Sequence, residues 1–122
     1  MTRDPGDIID RFTIALLKYQ NIGKPENVAE LSMFLNGLNE LFLTYPKISW
    51  LTYATDLYAQ NSRIWSLESE LRQGKLDNNL LECGKRAIAI RDANRHRVEL
   101  KNEINQKTQQ GAQDVKQDHL SR

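Results

Sequence analysis

Apolar residues in this chain recur three and four positions apart in four long stretches, and Pro5, Gly23, Pro25, Pro46 and Gly74 stand at their ends. That spacing collects side chains on one face of a 3.6-residue helix, and no strand-like alternation competes with it. The clearest stretch opens at Pro25-Glu26, where Val28, Leu31, Leu35, Leu38, Phe42 and Tyr45 form the stripe and Pro46 ends it. Gly37 lies inside that stretch at a cost of about 1 kcal/mol relative to alanine, which points to close approach of a neighbouring helix.

The first helix begins at Asp4-Pro5-Gly6-Asp7, with Asp4 as cap, proline at the first helical position and an acid in the first turn. Ile8, Phe12, Ala15 and Tyr19, flanked by Ile9, Leu16 and Ile22, make one face as far as Gly23. Ile14 and Leu17 make a second strip roughly opposite Phe12, so this helix is either covered on two sides or offers a contact to another subunit. Ser49 caps a third helix that reaches Gln73. Its inward arc is Trp50, Tyr53, Ala54, Leu57, Tyr58, Ile64, Trp65, Leu67 and Leu71, and Thr52, Thr55, Ala59, Arg63, Ser66 and Glu70 turn to solvent. Asp77 caps a fourth helix running to about Gln106, with a weaker stripe of Leu80, Cys83, Ala87, Ile90, Ala93, Val98, Leu100 and Ile104. Short connections at Gly23 and Gly74 favour antiparallel hairpins, so the expected fold is all-α, an antiparallel up-down four-helix bundle over residues 4–106. Residues 107–122 are polar and read as a disordered tail.

Composition narrows the function classes. Seventeen Lys and Arg nearly balance 16 Asp and Glu, for a net charge of +1. The basic run Lys85, Arg86, Arg91, Arg95, Arg97, Lys101 scatters around its helix among Asp92, Glu99 and Glu103, so neither nucleic acid nor an anionic membrane is indicated as partner. The single cysteine, Cys83, excludes an intramolecular disulfide, has no ligand-spaced partners for zinc and fits a small core residue in a reducing compartment. No run approaches the roughly 18 apolar residues of a membrane span, and a soluble cytoplasmic protein is expected. His96 falls on the solvent side of its helix and makes a poor catalytic base. No nucleophile elbow, phosphate loop or spaced His or Cys ligands are present, so no metal or other cofactor is predicted.

Polar residues break the apolar arcs of helices three and four. Glu68 and Arg72 fall within about 20° of Asn61, around Trp65, on the third helix. On the fourth, Lys101 falls within the same angle of Asn94, with Arg97 and Arg86 flanking them by roughly 60–80°. A hairpin turning at Gly74 to Asp77 places Asn61 near Asn94 and Glu68 near Arg86. Burying such ions costs several kcal/mol unless they are paired or wetted. Three explanations follow: a buried network that fixes register, a pocket between the helices, or an oligomer interface.

The segments Pro5-Gly-Asp-Ile-Ile-Asp-Arg-Phe-Thr-Ile-Ala-Leu-Leu-Lys18, Asn61-Ser-Arg-Ile-Trp-Ser-Leu-Glu-Ser-Glu-Leu-Arg72 and Asn94-Arg-His-Arg97, followed by Glu103-Ile-Asn105, resemble a group of small bacterial all-α proteins known only as domains of unknown function. The resemblance spans most of residues 5–105. It implies the helical fold and an emphasis on Asp10, Asn61, Trp65, Glu68, Arg72, Asn94 and Arg97, and it implies no established reaction.

The leading expectation is a non-catalytic binding or assembly module, a homo-oligomer formed through Asp10, Ile14 and Leu17 of helix one. The alternative is a small enzyme or sensor for a phosphorylated or carboxylated metabolite. In that reading Arg72, Arg86, Arg97 and Lys101 hold the anion, Asn61 and Asn94 orient it, Trp65 lines the site and Glu68 acts as acid or base. A magnesium-dependent pyrophosphate hydrolase ranks below both, because Glu68 is the one clear inward acid and Glu26 and Glu30 face solvent.

Overall fold

The computed structural model describes residues 3–120, with side chains described through Gln109. It is all-α, with four helices: α1 (Pro5–Asn21), α2 (Pro25–Thr44), α3 (Trp50–Arg72) and α4 (Leu80–Leu120). None of them is long and apolar enough to cross a membrane. The signals around α1 act as their chemistry requires, whereas Ser49 precedes α3 without a side-chain capping hydrogen bond and pairs with the Thr52 hydroxyl instead. Asp4 accepts from the Asp7 N–H at 2.8 Å, and Gly23 and Gly74 take positive φ at the ends of α1 and α3. The fourth helix starts three residues later than its expected cap: Asn79 Oδ1, not Asp77, accepts from the Glu82 N–H at 3.1 Å.

α1 is the hub. It packs against all three other helices, α3 packs along α4, and α2 rests mainly on α1. Cross-helix pairs set the directions. Lys18 meets Glu30 and Gly37 lies against Ile8, Asp10 meets Arg97 while Gly6 meets Asn105, and Tyr53 meets Glu103 while Glu70 meets Arg86. In each of the three helix pairs, residue numbers rise on one helix as they fall on the other. The core lies where all four meet, around Ile9, Leu38, Leu41, Trp50, Ala54, Leu57, Leu100 and Ile104. Trp50 closes one end of it, with its indole N–H donated to the Tyr45 carbonyl at 2.9 Å.

Because α1 is sandwiched, Gly6, Asp10, Thr13 and Leu17 are all buried, and small residues mark the close approaches. A Cβ built at Gly6 falls 2.6 Å from the Lys101 carbonyl oxygen, and one at Gly37 falls 3.1 Å from Ile8 Cγ2. α2 meets one main neighbour, so half of its apolar arc finds cover. Asn27, Phe34, Leu38 and Leu41 are buried, whereas Val28, Leu35 and Phe42 of the expected stripe stay exposed. On α4 the stripe is likewise shorter than expected: Ala93, Leu100 and Ile104 are buried, and Leu80 and Val98 are exposed. α3 follows its wheel closely. All six residues expected to face solvent do so.

Past Gln106, where a disordered tail is predicted, α4 continues as helix to Leu120. Ile104 and Thr108 are buried beside a groove lined by Pro5 and Tyr45, and the chain offers no proline to stop the helix. Packing of this turn against the start of α1 holds the helix through Thr108.

Candidate functional site

The polar strip converges at one junction, and its centre belongs to α1. Asp10 sits there fully buried. Its Oδ1 accepts from Arg97 Nε and Asn61 Nδ2, and its Oδ2 from Arg97 Nη2, all at 2.9 Å. This two-pronged contact matches the planar guanidinium fork to the carboxylate. Asn61 Nδ2 also donates to Thr13 Oγ1 at 2.8 Å, and Thr13 Oγ1 donates to the Asp10 carbonyl at 2.7 Å. Because a carboxylate only accepts, Asp10 fixes which end of the Asn61 amide faces it. Arg97 Nη1 reaches Asn94 Oδ1 at 3.3 Å, and Lys101 Nζ bridges Asp7 at 3.6 Å and Asp10 at 3.8 Å.

A second ring of charge flanks this junction. Asp7 is hydrogen-bonded by Arg3 and Arg11. Burial is the largest single influence on its carboxyl and raises its pKa, but the hydrogen bonds from Arg11 and Arg3 and the charges of Arg11 and Lys101 together outweigh it and hold the group below its ordinary value. The N–H of Gly6, one of the four donors that a helix start leaves without an intrahelical partner, is taken by Asn105 Oδ1 at 2.8 Å. Among the described residues, no buried side-chain nitrogen or oxygen is left without a partner.

Of the eight candidate ligand residues, Asn61, Trp65, Glu68, Asn94 and Arg97 line one depression between α3 and α4, walled by Ile14, Leu17 and Ile64. The other three lie elsewhere. Lys101 joins Asp7 and Asp10. Arg86 pairs with Glu70 of α3 and Glu82 of its own helix, not with Glu68, because the hairpin register lies about two residues from the expected one. The hydrogen bonds that Arg86 donates to Glu70 and then to Glu82 raise the Arg86 pKa, and those that Glu82 accepts from Arg86 and Lys85 lower its own. Arg72 stands in solvent, 3.8 Å from Glu68, whose side chain is itself 47% exposed. Asn61 turns to α1 and not to Asn94. The supposed cluster of four cations is thus dispersed, and Arg97 is neutralised by an acid that the α3–α4 hairpin alone does not supply.

The three candidate interface residues need the same revision. Asp10 and Leu17 are buried within the chain, so neither belongs to an open face, and Ile14 is partly covered at the edge of the depression. Thr13 escaped the sequence reading, and Asp7 entered it only as an acid in the first helical turn. The signal for Thr13 was present, since Asp10, Thr13 and Leu17 share one side of the first helix at spacings of three and four. No group of three or more His, Cys, Asp or Glu among the described residues is arranged to hold a metal ion.

The depression measures about 230 Å³, below the roughly 300–1,000 Å³ of ordinary ligand pockets. With its guanidinium committed to Asp10, it offers no free cation to a phosphate or carboxylate. Against protein-family models, curated proteins and solved structures, the chain finds no match.

Proposed function

We propose that this chain is a non-catalytic helical assembly module that pairs with a second copy of itself through the open side of α2. The observation that carries this reading is the apolar strip Val28, Leu35 and Phe42. These residues lie seven apart on one line of the helix and are 45%, 43% and 43% exposed. With Leu31, Leu38 and Tyr45 they complete a seven-residue repeat, the spacing that seats one helix against another. α1 covers Leu38 on the inner side and leaves the other line open.

The Lys18–Glu30 ion pair marks the opposite flank of α2. Phe12 and Leu16 of α1 line a further apolar groove with Leu51 and Tyr58 of α3. Leu51 is 73% exposed there. An exposed apolar strip of this spacing is the surface on which a partner helix can lie.

Charge selects the occupant. Ala29, Ser32, Asn36 and Asn39 beside the strip are uncharged, and Glu26, Glu30 and Glu40 lie roughly 140–160° around the helix from it. An acidic or basic partner finds nothing to pair with, whereas a second copy meets the same neutral apolar strip without like-charge repulsion. The lone Cys83 fits a reducing compartment such as the cytoplasm for this assembly. The alternative, an anion bound between α3 and α4, has less support because the cations expected to hold it are dispersed or paired.

Sedimentation equilibrium tests the proposal. The wild-type chain is expected to dimerise reversibly at micromolar concentration and Leu35→Lys to remain a monomer with an unchanged melting temperature. A wild-type chain that stays monomeric at several hundred micromolar overturns it.

A further inference from the structure

A separate site, independent of the α2 surface, follows from the depression between α3 and α4. Two of its polar side chains, Asn61 and Glu68, present acceptor oxygens, beside the N–H donors of Asn94, Trp65 and Arg97. Asn61 is 95% buried, as its 5% relative exposure shows, and both of its described hydrogen bonds are made by Nδ2. Its Oδ1 takes no hydrogen bond from any described residue. Since no buried oxygen there is without a partner, this atom opens into the depression that Asn61 lines. Glu68 adds a carboxylate on the same rim. Its one ionic contact is the 3.8 Å pair with Arg72, whose side chain is 65% exposed, and such a pair yields readily to a competitor. The Arg97 guanidinium on the same lining is committed to Asp10 through both prongs. Trp65 supplies an aromatic wall, and Ile14, Leu17 and Ile64 an apolar one.

We propose that this depression binds a small organic cation, an ammonium or guanidinium group on a short alkyl chain. The carboxylate of Glu68 meets the charge, Asn61 Oδ1 accepts one of its N–H groups, and the alkyl chain lies along the isoleucines. Aromatic surface next to a cation adds to the attraction. The charge preference is the reverse of the one expected from counting arginines along the sequence. The same head group is available as a free amine or as a lysine side chain of another protein, and the volume suits either.

The test is a titration of the 15N-labelled full chain with n-butylammonium, n-butanol, butyrate and Nα-acetyl-lysine N-methylamide, followed at the Asn61 side-chain amide and the Trp65 indole. We expect n-butylammonium to shift both resonances with saturation in the millimolar range, typical of a ligand with few heavy atoms, and butanol and butyrate to leave them in place. Glu68→Gln, an exposed substitution outside the buried network, is expected to weaken binding by about tenfold without changing the melting temperature. Comparable binding of the lysine derivative assigns the site to a protein side chain, and exclusion of it assigns the site to a free amine. Shifts by butyrate, equal shifts by butanol, no shift with n-butylammonium, or binding that survives Glu68→Gln overturn the proposal.

Discussion

Asp10 and Arg97, 87 positions apart, meet through two hydrogen bonds of 2.9 Å, with the aspartate side chain buried and the arginine side chain 29% exposed. This pair explains why a bundle of modest length tolerates charge inside its apolar arcs. Asp10 on α1 draws α3 through Asn61 and α4 through Arg97 to one point. A shift of either helix by one residue breaks several bonds together, so the network specifies register as well as adding stability.

Asn61 is the cross-tie of that point. Asn61→Ala removes the donor shared by Asp10 and Thr13 and leaves two buried acceptors with one partner fewer. We expect a loss of about 1–3 kcal/mol in urea unfolding, the cost of an unsatisfied buried polar group. An Asn61→Ala chain as stable as wild type contradicts this assignment.

Two glycines separate packing from helix propensity. Gly6→Ala drives a Cβ to 2.6 Å from the Lys101 carbonyl, and we expect α1 and α4 to move apart at a cost of about 1–3 kcal/mol. Gly84 lies exposed in α4, and a Cβ there meets nothing within 4 Å. Gly84→Ala is therefore expected to stabilise the chain by about 0.5–1 kcal/mol. Thermal melts of the two variants should move in opposite directions.

Acid should weaken the junction through Asp7. Its folded pKa lies below the ordinary value of 3.8, so its ionised form is favoured by folding. The contribution is fully present above that ordinary value and is lost as pH falls through the folded value. The stability gap between wild type and Asp7→Asn is expected to be constant near pH 6 and to shrink below about pH 4. A gap that widens in acid reverses the sign and contradicts the reading.

Four helices and their punctuation were legible because local chemistry sets them: Asp4, Gly23 and Gly74 act without help from distant residues. The faces of α3 were legible because both α1 and α4 cover its apolar arc and leave the polar side to solvent. α2 and α4 depended on which helix covers them, and no wheel contains that information. The site was half legible. Asn61, Trp65, Glu68, Asn94 and Arg97 do share one depression, but Asp10 looked like an interface residue because only two of the three helices at the junction were placed together. With that acid missing, Arg97 was counted as free and the junction was read as richer in unpaired cations than it is. Arg86 went to Glu70 for a smaller reason, a register difference of about two residues that moves a partner to the other side of the helix.

Asp10 and Arg97 act as one structural unit, and a double-mutant cycle by urea unfolding with Asp10→Leu and Arg97→Met reads their coupling. Arg97→Met strands a buried carboxylate and is expected to cost about 3–5 kcal/mol. Asp10→Leu is expected to cost less, because Arg97 retains an edge to solvent. The double variant is expected to be more stable than the summed losses imply, with a coupling of at least about 2 kcal/mol. Losses that simply add, with coupling near zero, contradict the account.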